Sequence, residues 1–114
     1  MIRKPEEFVT TTVSNLRGGN GDVIKAEMFS QDETLGKTRL LATMTFPPGS
    51  SVGLHPHGPD AEIYYILSGR FKVTDNDVTT EMTAGQIMFT GGGGTHSAEN
   101  IGTEDATMLA VVMN

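Results

Sequence analysis

Cysteine is absent from this chain, and with it go disulfides, thiolate metal sites and cysteine nucleophiles. Positive charge is scarce: 8 Lys and Arg stand against 14 Asp and Glu, a net charge of −6 at pH 7. Polyanions select basic surfaces, so this balance argues against nucleic acid and against an anionic membrane surface as partners. Long apolar runs are missing as well. The two most apolar, Ile63 to Leu67 and Met108 to Met113, fall far short of the about 20 residues that a bilayer-spanning helix needs. The opening MIRKPEEFVT lacks the apolar stretch of a secretory signal, which makes the cytoplasm the expected location. Helix signals are equally rare. Lys4 to Phe8 could form one turn, with Pro5 early in it, where a missing N–H costs little.

Glycine, by contrast, is plentiful. Its 14 positions among 114 residues exceed the ordinary share of about 7% and point to tight turns. After the turn-forming Arg17-Gly18-Gly19-Asn20-Gly21, the chain breaks into short strand-like runs separated by Gly, Pro, Asn and Asp. Strands are predicted at Val23–Phe29, Thr38–Phe46, Ser51–His57, Ala61–Ser68, Arg70–Asp75, Val78–Thr83, Gln86–Thr90, Thr95–Asn100 and Thr107–Met113. Short strands at this spacing, with no helix between them, imply an all-β antiparallel sandwich or barrel. The length suits one domain, with residues 1–22 as a short N-terminal arm and 23–114 as the barrel.

Period-two patterning assigns faces. Thr38–Phe46 sets Leu40, Ala42, Met44 and Phe46 on one face and leaves Arg39 toward solvent on the other. Ile66, Met44, Phe46, Ile87 and Phe89 are expected to line the barrel, with Met28, Met88 and Met108 as adaptable core filler. Ala61–Ser68 is apolar on both faces, and so is the last strand. Such strands need cover on both sides, and 114 residues can hardly supply it alone. A homodimer is therefore expected, covering Ile63, Tyr65, Leu67 and one face of Met108–Met113, with the Val23–Phe29 strand able to extend the partner's sheet.

The chain has only three histidines, at His55, His57 and His96. His55 and His57 are two apart on a strand, so both rings leave from one face. Glu62 follows across the Gly58-Pro59-Asp60 turn, on a strand expected to lie about 4.8 Å away and beside the first. His96 opens a strand after a run of four glycines, Gly91 to Gly94, and could complete the site. Imidazole suits Zn, Cu, Fe and Ni, and a carboxylate extends the choice to Mn. Tyr64 shares a face with Glu62, so its hydroxyl could point at the site and move a proton, or sit as a satisfied core hydroxyl. The glycine run is not a phosphate loop, since no Lys-Ser/Thr follows it.

The spacing Gly49-x5-His55-x-His57-x4-Glu62-x6-Gly69, followed by Gly85-x5-Gly91-x-Gly93-x2-His96-x3-Asn100, resembles the paired motifs of the cupin superfamily. The match spans Gly49 to Asn100 and departs at one position, where the family has proline and this chain has Gly91. That resemblance implies a jelly-roll barrel, or double-stranded β-helix. It also implies one divalent metal ion (Fe, Mn, Ni, Zn or Cu) held by His55, His57, Glu62 and His96, each at a ligand position.

Four protein ligands on a six-coordinate ion leave positions open, which catalysis requires and a closed structural site lacks. The leading expectation is a small metalloenzyme of dioxygenase, isomerase or lyase type, with Tyr64 as the candidate catalytic residue. The rival is a non-catalytic small-molecule-binding or sensor domain, and a third reading is a metal that only stabilises the fold. Since no Lys or Arg falls on a strand face shared with the ligands, the metal is expected to supply the attraction for an oxygen-chelating ligand.

Overall fold

Runs of β-branched and apolar residues, cut by turn formers, fold as ten strands in the computed structural model, which describes residues 1–114. They are β1 (Val9–Ser14), β2 (Asp22–Glu27), β3 (Thr38–Phe46), β4 (Ser51–His57), β5 (Ala61–Ser68), β6 (Arg70–Asp75), β7 (Val78–Thr83), β8 (Ile87–Thr90), β9 (Gly94–Asn100) and β10 (Ala106–Met113). The only helical pieces are single 3-10 turns at Pro5–Glu7 and Leu16–Gly18. No helix is long and apolar enough to cross a membrane.

All pairings are antiparallel. One sheet has six strands in the order β1-β2-β3-β10-β5-β8, and the other has four, β4-β9-β6-β7. The edge strands β7 and β8 share no ladder. The barrel expected from the sequence is thus a jelly-roll sandwich of two facing sheets, without a closed ring of hydrogen bonds. β1 was not anticipated. It lies within residues 1–22, read from the sequence as an arm, and pairs with β2 along its whole length, from Val9 opposite Glu27 to Ser14 opposite Asp22. The β6–β7 hairpin shows how locally the chain is specified. Asn76 and Asp77, between the paired Asp75 and Val78, both take positive φ (48° and 69°). Asn and Asp tolerate that region, which matches the twist of the flanking strands.

The core fills the space between the sheets. Phe46 and Phe71 meet edge to face, with centroids 5.1 Å apart, and pack in one cluster with Val23, Ile66, Val73 and Met108, all at most 2% exposed. Each such side chain contributes about 1.5–3 kcal/mol on burial. Register separates this core from the histidines along the same strands: on the β6–β9 ladder Phe71 faces Asn100, while Asp75 faces His96. The apolar end holds the fold together, leaving the other end free for polar groups.

Two assignments of core residues need correction. Ile87 and Phe89 do not line the interior; they are 63% and 61% exposed, whereas Met88 and Thr90 are buried. The register explains it. β8 pairs with β5 so that Met88 faces Tyr64 and Thr90 faces Glu62 on the inner side, which leaves Ile87 opposite Tyr65 and Phe89 opposite Ile63 outside. Met28 is only partly buried, just beyond the end of β2.

Candidate metal centre

His55 points inward because β4 contains a bulge. Val52 faces Ala98 and His55 faces His96, so three steps on β4 match two on β9, and the register shifts between Val52 and His55. One extra residue flips the face of everything after it. Val52, His55 and His57 are therefore all buried, while Leu54 and Pro56 are exposed. Strict alternation from Val52 would have sent both histidines to solvent.

Glu62 arrives by a different route from the one expected. β4 and β5 are not neighbours; they belong to opposite sheets. The Gly58-Pro59-Asp60 turn carries the chain across the sandwich, and Glu62 meets the imidazoles through the interior. It shares the inner face of β5 with buried Tyr64 and Ile66. His96 comes from β9, directly opposite His55.

The structure brings His55, His57, Glu62 and His96 together: their ligand atoms all lie within 4.8 Å of one another, and all four residues are buried. Glu62 Oε1 is 3.0 Å from His57 Nε2, 3.0 Å from His96 Nε2 and 3.8 Å from His55 Nε2. His55 Nε2 and His96 Nε2 are 2.9 Å apart.

The outer nitrogens indicate what these contacts mean. His55 Nδ1–H donates to the Gly53 carbonyl at 2.7 Å, and His57 Nδ1–H donates to Asp60 Oδ1 at 3.0 Å. A carbonyl and a carboxylate only accept, so each neutral ring turns its Nε2 lone pair inward. The lone pairs of these two rings then face the Glu62 carboxylate, with His57 Nε2 3.0 Å and His55 Nε2 3.8 Å from its Oε1. A divalent cation satisfies every one of these acceptors, so the donor set fits a metal and these four residues could hold one.

Electrostatics agree. Burial pushes the Glu62 carboxyl up, but the surrounding imidazoles, His55 and His96 foremost, outweigh it and hold the pKa at about 2. His96 is moved below its ordinary 6.5, first by burial, against the pull of Glu62. Both shifts favour the metal-binding forms at neutral pH, a carboxylate and a neutral imidazole.

His96 lacks the outer anchor that the other two rings have. Its Nδ1 is buried with no hydrogen-bond partner. Instead, the ring stacks on Tyr64, with centroids 4.6 Å apart and planes 13° from parallel. The Tyr64 hydroxyl lies 3.3 Å from His96 Nε2, so Tyr64 does face the cluster. Its pKa is pushed well above the ordinary 10, first by burial and then by the Glu62 charge. Tyr64 is thus a hydroxyl donor at neutral pH, not a phenolate.

The glycine run is held at both sides: Gly93 N–H donates to the His57 carbonyl at 2.8 Å, and Thr95 N–H donates to Asn76 Oδ1 at 3.0 Å. Gly91 has a packing reason. A Cβ there would come within 2.9 Å of the Ala61 Cβ and 3.2 Å of the Phe89 ring.

The cluster opens into a cavity of about 270 Å³ whose walls include Arg17, Lys25, Arg39, Met44 and Val112. Here the sequence reading is corrected, because cations do share this space. Lys25 lies opposite buried Met44, on the inner side of β2. Arg39 is largely exposed, yet its guanidinium donates to Asp60 Oδ2 at 2.9 Å, behind His57. Asp60 is the outer partner of His57, and a carboxylate three residues after a ligand histidine is a readable signal for such an orienting partner. A larger groove of about 910 Å³ runs along β7 and β8 past Val78, Met82 and Ile87, and no histidine lines it.

Comparison with known proteins follows the same lines. The family model for the cupin domain matches residues 42–112. A Thermotoga maritima protein named oxalate-binding protein is 43% identical over 113 residues, covering 99% of this chain and 93% of its own. A Thermotoga maritima crystal structure described as a predicted oxalate decarboxylase superposes with a TM-score of 0.95 at 43% identity, over 99% of this chain and 98% of the other. A Schizosaccharomyces pombe cupin domain shares the fold at a TM-score of 0.73 and 18% identity, over 91% of this chain and 68% of its own. With two-sheet topology, motif residues and full-length relatives in agreement, the chain belongs to the cupin domain family.

Proposed function

We propose that this cupin holds one divalent metal ion on His55, His57, Glu62 and His96 and captures on it a small, oxygen-chelating carboxylate of the oxalate type. One observation carries the reading: three of the four clustered donors, His55, His57 and Glu62, line a cavity of about 270 Å³. That volume lies at the small end of ordinary small-molecule pockets, about 300–1,000 Å³, and suits a compact ligand. A bound ion supplies Lewis acidity to such a ligand's oxygens. The protein contributes a buried inner face, three imidazoles, and the Tyr64 hydroxyl at 3.3 Å from His96 Nε2. The name of the 43%-identical relative points to the same ligand class. Calorimetric titration of metal-loaded protein with oxalate tests this. Saturable one-to-one binding that vanishes after chelation is expected, and oxalate binding that survives metal removal refutes it.

Turnover is the second reading, favoured by Tyr64, a buried donor beside the cluster. In a decarboxylation the C–C bond of the substrate breaks, CO2 leaves, and a proton takes its place on the remaining carbon. Tyr64 is the candidate donor. Incubation of metal-loaded protein with oxalate, with formate and CO2 measured, separates an enzyme from a binder.

The partner proposed for the chain is a second copy. Across the outer side of the six-stranded sheet, Leu41, Val111, Ile63 and Phe89 align in one row, and Leu109, Tyr65 and Ile87 align in the next. Phe89 and Ile87 stand more than half exposed. A contiguous apolar face of this kind marks an interface, and two-fold pairing covers it with itself. Sedimentation velocity at micromolar concentration should give twice the chain mass, and the double variant Ile63→Lys, Phe89→Lys should give the monomer. A monomeric wild type refutes the pairing.

A further inference from the structure

We infer that Arg17, with Lys25 lining the same cavity, is the anion-reading arm of the metal cavity, and that the ligand it selects carries two negative charges. This rests on the ligand class proposed above and adds the feature that sets its charge.

Arg17 is presented by an unusual piece of backbone. Within the turn after β1, Asn15 and Arg17 both adopt positive φ of 53°, a region costly for residues with a side chain. The surroundings hold it there. Asn15 N–H donates to the Gly21 carbonyl at 2.9 Å, and Asn15 Nδ2 donates to the Gly19 carbonyl at 3.1 Å. Two glycines then let the turn lie flat on β4. A Cβ on Gly53 would collide with the Arg17 carbonyl, and one on Gly19 would collide with the Ser51 carbonyl. Gly53 is also the residue whose carbonyl orients His55. One contact therefore joins the ligand strand to the turn that carries Arg17.

The charge inventory points the same way. The chain has 8 Lys and Arg; Arg3, Arg39, Arg70 and Lys72 are spent in ion pairs. Of the other four, Arg17 and Lys25 both line this cavity. The acids that line it are already answered, Asp60 by Arg39 and His57, and Glu62 by the imidazoles. A divalent ion neutralised once by Glu62, together with two unanswered cations, leaves a surplus of positive charge in a protein of net charge −6. A compact dianion would take up more of that surplus than a monoanion of the same shape, and Arg is the side chain built for bidentate contact with a carboxylate.

The test uses metal-loaded wild type, Arg17→Gln and Arg17→Lys, titrated with oxalate (two charges) and with oxamate, nearly the same shape with one. Wild type should prefer oxalate. Arg17→Gln should weaken oxalate by about 10- to 100-fold, the range for a lost charge-assisted hydrogen bond, and shrink the oxalate-to-oxamate ratio, with metal content and thermal midpoint unchanged. Arg17→Lys should recover part of that ratio. An unchanged ratio in Arg17→Gln overturns the inference, whether affinity for both ligands holds or falls together. A wild type that keeps its metal yet binds neither ligand overturns the proposed ligand class itself, and this inference with it.

Discussion

His57→Ala and His96→Ala should each reduce metal content to about a tenth or less of wild type, and chelation of the wild type should lower its thermal midpoint by roughly 10–20 °C. The second figure follows from linkage. An ion present at 100 times its dissociation constant stabilises by about 2.7 kcal/mol, and each kcal/mol moves the midpoint of a domain near 100 residues by about 4–8 °C. The first follows from geometry, since each imidazole supplies one of four converging atoms and alanine supplies none. Glu62→Gln removes the charge but keeps an oxygen, so it should weaken the site without emptying it. Elemental analysis of protein purified without chelator measures the content. A variant lacking all three histidines that retains full metal would refute the ligand assignment.

Acid should act on the same site in two stages. The folded pKa of His96 lies below its ordinary 6.5, so the unfolded chain binds this proton more readily. The contribution of His96 is complete above about pH 6.5 and declines as the pH falls below it. Metal should leave in the same window, because protons compete for the same nitrogens. Glu62 is depressed to about 2 from its ordinary 4.5, so its share persists to about pH 4.5 and is lost between there and pH 2. Both signs agree: acidification loosens the centre, and alkali does not.

Much of this was legible in the sequence because it is local. Five strands, from Thr38–Phe46 through Val78–Thr83, have the ends that turn residues and period-two patterning assign. The three histidines and Glu62 were readable from their spacing. What was not legible depends on pairing. β1 reads Val-Thr-Thr-Thr-Val-Ser, strongly strand-forming by residue type, but its exposed side chains show no apolar alternation, and only the ladder to β2 reveals it. The bulge at Gly53-Leu54 leaves no mark in hydrophobicity, yet it decides the face on which His55 emerges. Strands adjacent in sequence are not adjacent in space here, so Glu62 sits in the sheet opposite the one that chain order suggests. The same blindness hid Lys25, because a lysine on a half-polar strand reads as solvent-facing until its register with Met44 is known.

Two substitutions at Tyr64 should separate its two roles. Tyr64→Phe keeps the ring that stacks on His96 and deletes only the hydroxyl, so metal affinity should stay within a few-fold of wild type. Tyr64→Leu deletes the stacking surface. His55 and His57 would remain fixed through Gly53 and Asp60, but His96, whose Nδ1 has no partner, would lose what orients its ring. Metal affinity should then fall about 10- to 100-fold, as it does when the outer partner of a ligand histidine is removed. The hydroxyl has its own readout. If the protein turns a ligand over, Tyr64→Phe should lower the rate by about 100-fold or more, the usual effect of losing a positioned acid. If it only binds, affinity should drop by no more than about tenfold, near the net worth of one hydrogen bond. Because burial and Glu62 keep the hydroxyl protonated far above neutrality, neither effect should vary between pH 7 and 9. Equal metal affinities in the Phe and Leu variants would mean that His96 is oriented by something other than the Tyr64 ring, and the positioning role would have to be abandoned.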